Sequence, residues 1–419
     1  MTTPIDADGI IDPGAPELRA DPFTGYAALR ERAPLLRATI PITGEPGWIV
    51  TRYDGVKAVL SDARFVRDRA SIPGFEHDDT RLRLLADAGL PEEYARYMVS
   101  LLDLDGAEHA RLRKHVSRTF TVRRISELRP RMEEIVDGIL DGLPGTADEN
   151  GVVDLQERFG YPFSMTVICE LVGIDEEDRP QWRQWGREMG LGDPARFAAA
   201  VRDLVDHVHE LIERRRAEPR ADLLTGLVQT HDEDGDRLTD GEMVMMVLTL
   251  VMAGHDTTAT FIANGTADLL THPDQFELLK RRPDLLPRAV HELLRRVTPA
   301  THVGVRYAAE DVEIGGTTVR RGDAVTPILV AANHDPRRFE DPDALDITRE
   351  PGGRRETHVA FGHGIHYCLG AALARQESEV AFGKLFERYP GIALAVDPTQ
   401  LVRVPLPGAW RLAGLPVRL

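Results

Sequence analysis

Apolar positions along this chain recur mainly at helical spacing. The clearest stretch runs from Thr239 to Pro273. Thr239-Asp240-Gly241-Glu242 has the spacing of a capping box, Met243 to Ala253 is apolar except at Thr249, and Pro273 marks a stop. The ~30 residues between these signals would extend roughly 45–50 Å at ~1.5 Å per residue, enough to cross a whole domain. Helical patterning also covers Pro22 to Arg32, Asp54 to Ser61 and most of 130–230, with breaks at Pro144-Gly145, Gly190 to Pro194 and Pro219. Within it, Cys169 sits in the apolar run Met165 to Val172, and Trp182, Trp185 and Met189 share helical spacing; all four read as core. Alternation is the minority pattern. Leu35 to Ile40 and Trp48 to Thr51 predict two strands with Gly44, Pro46 and Gly47 between them, and Val312 to Gly316, Ala324 to Val330 and Leu401 to Leu419 predict further short strands. Residues 65–100 are irregular. Residues 1–20, rich in Pro, Gly and Asp, predict a flexible tail.

Composition narrows the partners. The 419 residues carry 51 basic and 68 acidic side chains, a net charge of −17, which argues against nucleic acid. Two cysteines make no disulfide framework and fit a reducing compartment. Met1 to Asp8 lacks the basic and apolar regions of a signal peptide, and the run Met243 to Ala253 is too short to span a bilayer. A cytoplasmic protein with no membrane contact is expected.

Three places break the pattern in ways that need chemistry. Phe361-Gly362-His363-Gly364-Ile365-His366-Tyr367-Cys368-Leu369-Gly370 holds three glycines, and the strong helix formers Ala371 to Glu377 follow at once. A lone cysteine is as a rule a small buried hydrophobe. Here the unpaired N–H groups of a helix start lie just behind Cys368, which favours a thiolate and makes a good axial ligand for haem iron. Ala253-Gly254-His255-Asp256-Thr257-Thr258 places an acid and two hydroxyls mid-way along an apolar helix. Such local conflicts tend to be functional, and Thr257 can also turn its hydroxyl back to the Ala253 carbonyl. His291-Glu292-Leu293-Leu294-Arg295 offers an i, i+3 pair, a weak signal by itself.

The spacing F-x-x-G-x-H-x-C-x-G of the Cys368 loop resembles the haem-binding loop of the cytochrome P-450 family. Ala253 to Thr258 resembles the family's oxygen-activating motif, and Glu292 with Arg295 falls where its E-x-x-R pair is required. The resemblance spans about residues 20 to 419 and implies a mainly α fold with minor β, one domain over 21–419, with haem b (iron protoporphyrin IX) between the long central helix and the Cys368 loop. It implies Cys368 as metal ligand, with Phe361, Gly362 and Gly370 against the cofactor. His109, Arg113, Arg306 and His366 match propionate contacts. Asp256 and Thr257 match the acid–alcohol pair that delivers protons, while Glu292, Arg295 and Arg349 form a structural pair with a third member. Thr249, Met252, Ala253, Ala300, Val303 and the tip residue Leu406 are expected to line the substrate pocket. Asn333-His334-Asp335-Pro336 departs from the family's N-R-D-P at His334.

The implied activity is a monooxygenase that uses dioxygen and two electrons to hydroxylate, epoxidise or couple a small organic, natural-product substrate. From His109 to Ser126 there are six Arg or Lys and no acid, a local inversion of charge. The outward residues among Arg111, Lys114, Arg118, Arg123 and Arg124 are expected to attract an acidic ferredoxin, itself served by a ferredoxin reductase. Two rival classes are a peroxide-driven haem peroxygenase, which has no need of Asp256-Thr257, and a haem sensor, which would usually carry an output domain.

Overall fold

The helix Asp240–Thr271 organises the fold, and its start is built as the sequence predicts. Thr239 Oγ1 accepts from the Glu242 N–H at 3.2 Å while Glu242 Oε2 accepts from the Thr239 N–H at 2.7 Å, so two orphan donors are satisfied together. The computed structural model describes residues 9–41, 43–75, 80–189, 193–229, 236–352, 356–404 and 408–419. The helix runs for 32 residues, and 19 of them lose nearly all contact with solvent. Among the described residues this is the one helix long and apolar enough by composition to cross a membrane, with mean hydropathy 1.3 over an 18-residue window that extends beyond the short run Met243 to Ala253. Burial explains that apolarity differently: 56% of the window lies inside the fold.

The neighbouring helix Tyr161–Val172 packs closely on it because Gly254 faces Ile168. A Cβ at 254 would sit 3.0 Å from Ile168 Cδ1, so no larger residue fits without movement. On another face, Phe261 meets Phe382 of the helix Ala371–Arg388 edge to face, with ring centres 5.8 Å apart. The helix Leu286–Arg296 packs on that same C-terminal helix. These elements share one large apolar core that includes Cys169, Trp182 and Trp185, as the spacing predicts.

A five-stranded sheet lies apart from this core. Its order is Leu35–Thr39, Pro46–Val50, Ala324–Pro327, Arg306–Ala308, Phe65–Val66. All pairings are antiparallel except that of Pro46–Val50 with Ala324–Pro327, where Trp48 pairs with Val325. Val153–Asp154, Pro416–Arg418 and Ala393–Leu394 form a three-stranded sheet, and Val312–Ile314 with Thr317–Val319 forms a hairpin.

Two expectations need correction. Residues 9–20 are not a loose tail. Ile11 exchanges bonds with the edge strand, its N–H to Arg37 O at 3.0 Å and its carbonyl from Thr39 N at 2.8 Å. Ile11 and Leu18 are buried with Tyr26 and Leu29, and Pro16–Ala20 is a short helix. The Pro and Gly content misled because burial of two aliphatic side chains outweighs local propensity; residues 1–8 lie outside the described residues. Ala324 to Val330 is a strand only to Pro327, after which Leu329–Asn333 turns helical.

Candidate active site

The loop before the C-terminal helix is shaped by backbone that only glycine adopts freely. Gly362 and Gly364 have φ of 71° and 75°, and a Cβ on Gly364 would lie 2.2 Å from the Leu60 carbonyl oxygen. Thus pinned, the loop turns back on itself, and the Cys368 N–H donates to Phe361 O at 2.9 Å. The helix Ala371–Arg388 follows with Gly370 at its N-cap. Burial pushes the Cys368 pKa up, against the opposing pull of the Gly370 N–H and Arg113. A metal cation coordinated by the sulfur would favour the thiolate.

A cavity of about 400 Å³ separates this loop from the central helix. Cys368, Phe361, Gly362, His366 and Gly370 form its floor; Thr249, Ala253 and Thr257 form its opposite wall; Ala300, Val303 and Arg306 close a side. Thr257 Oγ1 donates to the Ala253 carbonyl at 2.7 Å, so it keeps lone pairs to accept from a group in the cavity. Met252 does not join that wall. It is 39% exposed, and the wall continues instead through Leu250 and Gly254, so the face turned to the cavity is rotated from the one the i, i+3 pattern selects. Leu406 lies outside the described residues.

One edge of the cavity is strongly cationic. Arg113 donates to Tyr367 O at 2.6 Å, and Arg306 donates to Gly304 O at 3.1 Å. Sequence reading missed Arg67, which lines the same edge and donates to Leu102 O at 2.7 Å and to Val305 O. It follows the two-residue strand Phe65–Val66 inside an irregular stretch, and no motif marks it. Burial pulls Arg67 down to about 10 and Arg306 down to about 9. His109 lies just behind, its ring centre 4.4 Å from that of His366. Burial lowers the His109 pKa to about 4, so it is neutral at pH 7. His109 Nε2 and His366 Nδ1 are buried with no hydrogen-bond partner, while His366 Nε2 meets Asp105 Oδ1 at 3.1 Å. Desolvated cations and orphaned imidazole nitrogens at one edge of the cavity, with a thiol on its floor, fit a planar dianionic tetrapyrrole held by its metal and its carboxylates.

Asp256 faces away from the cavity. It accepts from Tyr161 Oη at 2.8 Å and from Arg411 Nη1 at 2.8 Å. Neither partner had a sequence signal: each lies on a distant element and belongs to no motif.

Across more of the chain the comparisons agree. The cytochrome P450 family profile matches residues 193–391. The 6-deoxyerythronolide B hydroxylase of Saccharopolyspora erythraea is 40% identical, over 96% of this chain and 98% of its own length. The chain belongs to the cytochrome P450 family. The monooxygenase PikC of Streptomyces venezuelae is 40% identical over 98% of this chain and 94% of its own. The solved P450 PksS, of a bacillaene polyketide synthase in Bacillus subtilis 168, superposes with TM-score 0.87 at 34% identity, covering 97% of this chain and 99% of that one. As a P450 this protein is a haem-thiolate monooxygenase; its cofactor is haem b, and it draws on dioxygen, a small-molecule substrate and electrons from a redox partner.

Beside this P450 site lies the framework of the Cys368 side. Arg295 is buried, with Nε and Nη2 on the two Glu292 oxygens at 2.8 Å and further bonds to the Asn333 and Pro342 carbonyls. Arg349 Nε reaches Glu292 at 3.1 Å. His334 bonds Asp343 at 2.9 Å and the Arg296 carbonyl at 3.0 Å, so this position serves through hydrogen bonds where the usual arginine would bring a fixed charge. Arg111, expected to face an electron donor, instead pairs with Glu242 and Asp236.

Proposed function

We propose that this P450 oxidises an apolar, oxygen-bearing natural product of the polyketide or macrolactone class. The observation that carries this reading is the cavity lining beside Cys368: Leu101, Ile168, Met246, Leu250 and Leu294 are apolar, and Thr249, Thr257 and Thr258 are the hydroxyl-bearing residues among them. Such a lining desolvates a carbon skeleton and offers few, directed hydrogen bonds, the general design of small-molecule sites. The names of the relatives, a hydroxylase of 6-deoxyerythronolide B and a P450 of a polyketide synthase, favour the same class.

In this reading Cys368 would bind the haem iron through its sulfur, and Phe361, Gly362 and Gly370 would lie against the macrocycle. His109, Arg113, Arg306 and His366 hold the propionates. When bound, haem supplies the oxidation, placing one atom of dioxygen in the substrate and releasing the other as water with two electrons and two protons. The protein's part is position and protons. Thr249, Ala253, Ala300 and Val303 orient the substrate. Thr257, whose hydroxyl donates to Ala253 O, accepts a hydrogen bond at the cavity wall through its lone pairs, and Asp256, once turned from Tyr161 and Arg411, takes a proton from water and relays it toward that wall. Thr257→Ala is expected to keep fold, haem and substrate affinity while product per electron donor consumed falls and peroxide rises. Unchanged coupling would remove Thr257 from this role.

The electron donor in this reading is an acidic ferredoxin, drawn to the basic helix Gly106–Thr119 and the residues after it in a cytoplasmic, single-domain enzyme. Charge reversal at Lys114 or Arg118 should slow reduction at low salt; salt-independent reduction would argue for a neutral docking surface. The substrate class is tested by titrating macrolactones and fatty acids against the haem spin state. A shift to high spin with macrolactones is expected, and a shift with fatty acids alone would overturn the assignment.

A further inference from the structure

The motif Asn333-His334-Asp335-Pro336 has one member whose side chain acts at a distance. Asn333 ends the short helix Leu329–Asn333 and is fully buried. Its Oδ1 accepts from the Val359 N–H at 2.8 Å, 26 residues along the chain. Its Nδ2 is buried with no hydrogen-bond partner. The amide cannot be turned over, because its NH2 would then face the Val359 N–H, donor against donor. An orphaned donor is a cost, and among the described residues the bond to Val359 is the only hydrogen bond this side chain makes to offset it.

From Val359 the constraint runs on to Cys368 through the backbone. The Val359 carbonyl accepts from the Gly362 N–H at 2.8 Å, and the Phe361 carbonyl accepts from the Cys368 N–H at 2.9 Å. Gly362 has φ of 71°, so the first of these bonds pins the turn at which the chain reverses. Asn333 is held at its other end too. Its own carbonyl accepts from Arg295 Nη1 at 2.9 Å, and Arg295 grips both oxygens of Glu292. The ion pair does not reach the loop directly. Among the described residues its hydrogen bonds outside the pair end at Asn333, Pro342, Ala344, Asp346 and Arg349. Val359 is 2% exposed and shares an apolar cluster with Leu329, Ala332 and Phe339, so an N–H left there without Oδ1 stays desolvated.

We propose that Asn333 is a positioning residue for Cys368: its side-chain oxygen carries the fixed Glu292–Arg295 framework across to the backbone that sets where the sulfur stands. This role rests on the reading of Cys368 as the iron ligand.

The test reads the sulfur and not turnover. Haem-loaded parent, Asn333→Leu and Asn333→Asp are reduced under carbon monoxide, and conversion of the thiolate spectrum to the thiol spectrum is timed at one temperature. Leucine fills the space without an acceptor; aspartate keeps the oxygen. Asn333→Leu should convert about 10-fold faster than the parent, because a loop with a stranded N–H opens more often. Asn333→Asp should stay within about threefold of the parent. Global unfolding is followed alongside by far-ultraviolet circular dichroism. Conversion that rises only in step with global unfolding, or equally in both variants, overturns the proposal. A parent without a thiolate spectrum overturns the ligand assignment on which the role rests. If Asn333→Leu does not fold, amide hydrogen exchange of the haem-loaded parent decides. The Val359, Gly362 and Cys368 amides should be slowed together and open as one unit. A Val359 amide that exchanges like an exposed loop while Cys368 stays protected overturns the link.

Discussion

Two ion-pair clusters flank the cavity, and their surroundings differ more than their chemistry. On the Cys368 side, Arg295 and Glu292 have side chains 2% and 1% exposed. On the dioxygen side, Arg411 and Asp256 are 26% and 34% exposed, at the same 2.8 Å separation. Both are charge-assisted bonds between the same group types. In low dielectric, removing one partner strands a charge; near solvent, water takes the partner's place. The first cluster is therefore fixed and serves the fold. The second can open, which the proposed proton-relay role of Asp256 requires.

That contrast can be broken most severely at the buried end. Arg295→Ala leaves Glu292 desolvated and strands the Asn333 and Pro342 carbonyls, which should cost about 3–5 kcal/mol. Haem content and melting temperature of purified protein measure it, and a variant within 2 °C of the parent would show that the cluster is dispensable. Of intermediate size is Asp256→Asn. The amide keeps shape and can still accept from Tyr161, so stability should hold. Turnover should drop about 10- to 100-fold as the acid is lost, or about 1.4–2.7 kcal/mol in the barrier. A loss of stability as large as that of Arg295→Ala would erase the distinction. The mildest is Tyr161→Phe, which removes one bond to Asp256 and should cost about 0.5–1.5 kcal/mol, with turnover changed less than about threefold. A large turnover loss there would make Tyr161 part of the proton route.

Much of the Cys368 side is legible in the sequence because local constraints write it. Glycines at positive φ, a cysteine at fixed spacing and an i, i+3 pair all leave marks within ten residues. The capping box likewise announces the central helix. Arg67, Tyr161 and Arg411 leave no such mark, because each acts through the fold. Tyr161 reaches Asp256 from 95 residues away and Arg411 from 155. Met252 was misplaced because helical periodicity gives a face but not its rotation against a cavity. The Ile11 segment was misjudged because its partner strand is not local, and Arg111 because its acids sit on another element.

The parallel pairing of Pro46–Val50 with Ala324–Pro327 has a kinetic consequence. Trp48 Nε1 also donates to Asp323, 275 residues along the chain, so closing this sheet orders a very long loop. Contacts at such separation form slowly, after helices assembled from near neighbours. Arg306 belongs to the strand beside Ala324–Pro327. In the proposed reading, capture of a propionate by its guanidinium then waits on closure of this sheet. Pulsed hydrogen exchange during refolding should show 46–50 and 324–327 gaining protection after the central helix, and together with haem uptake; earlier protection of the sheet would reverse that order.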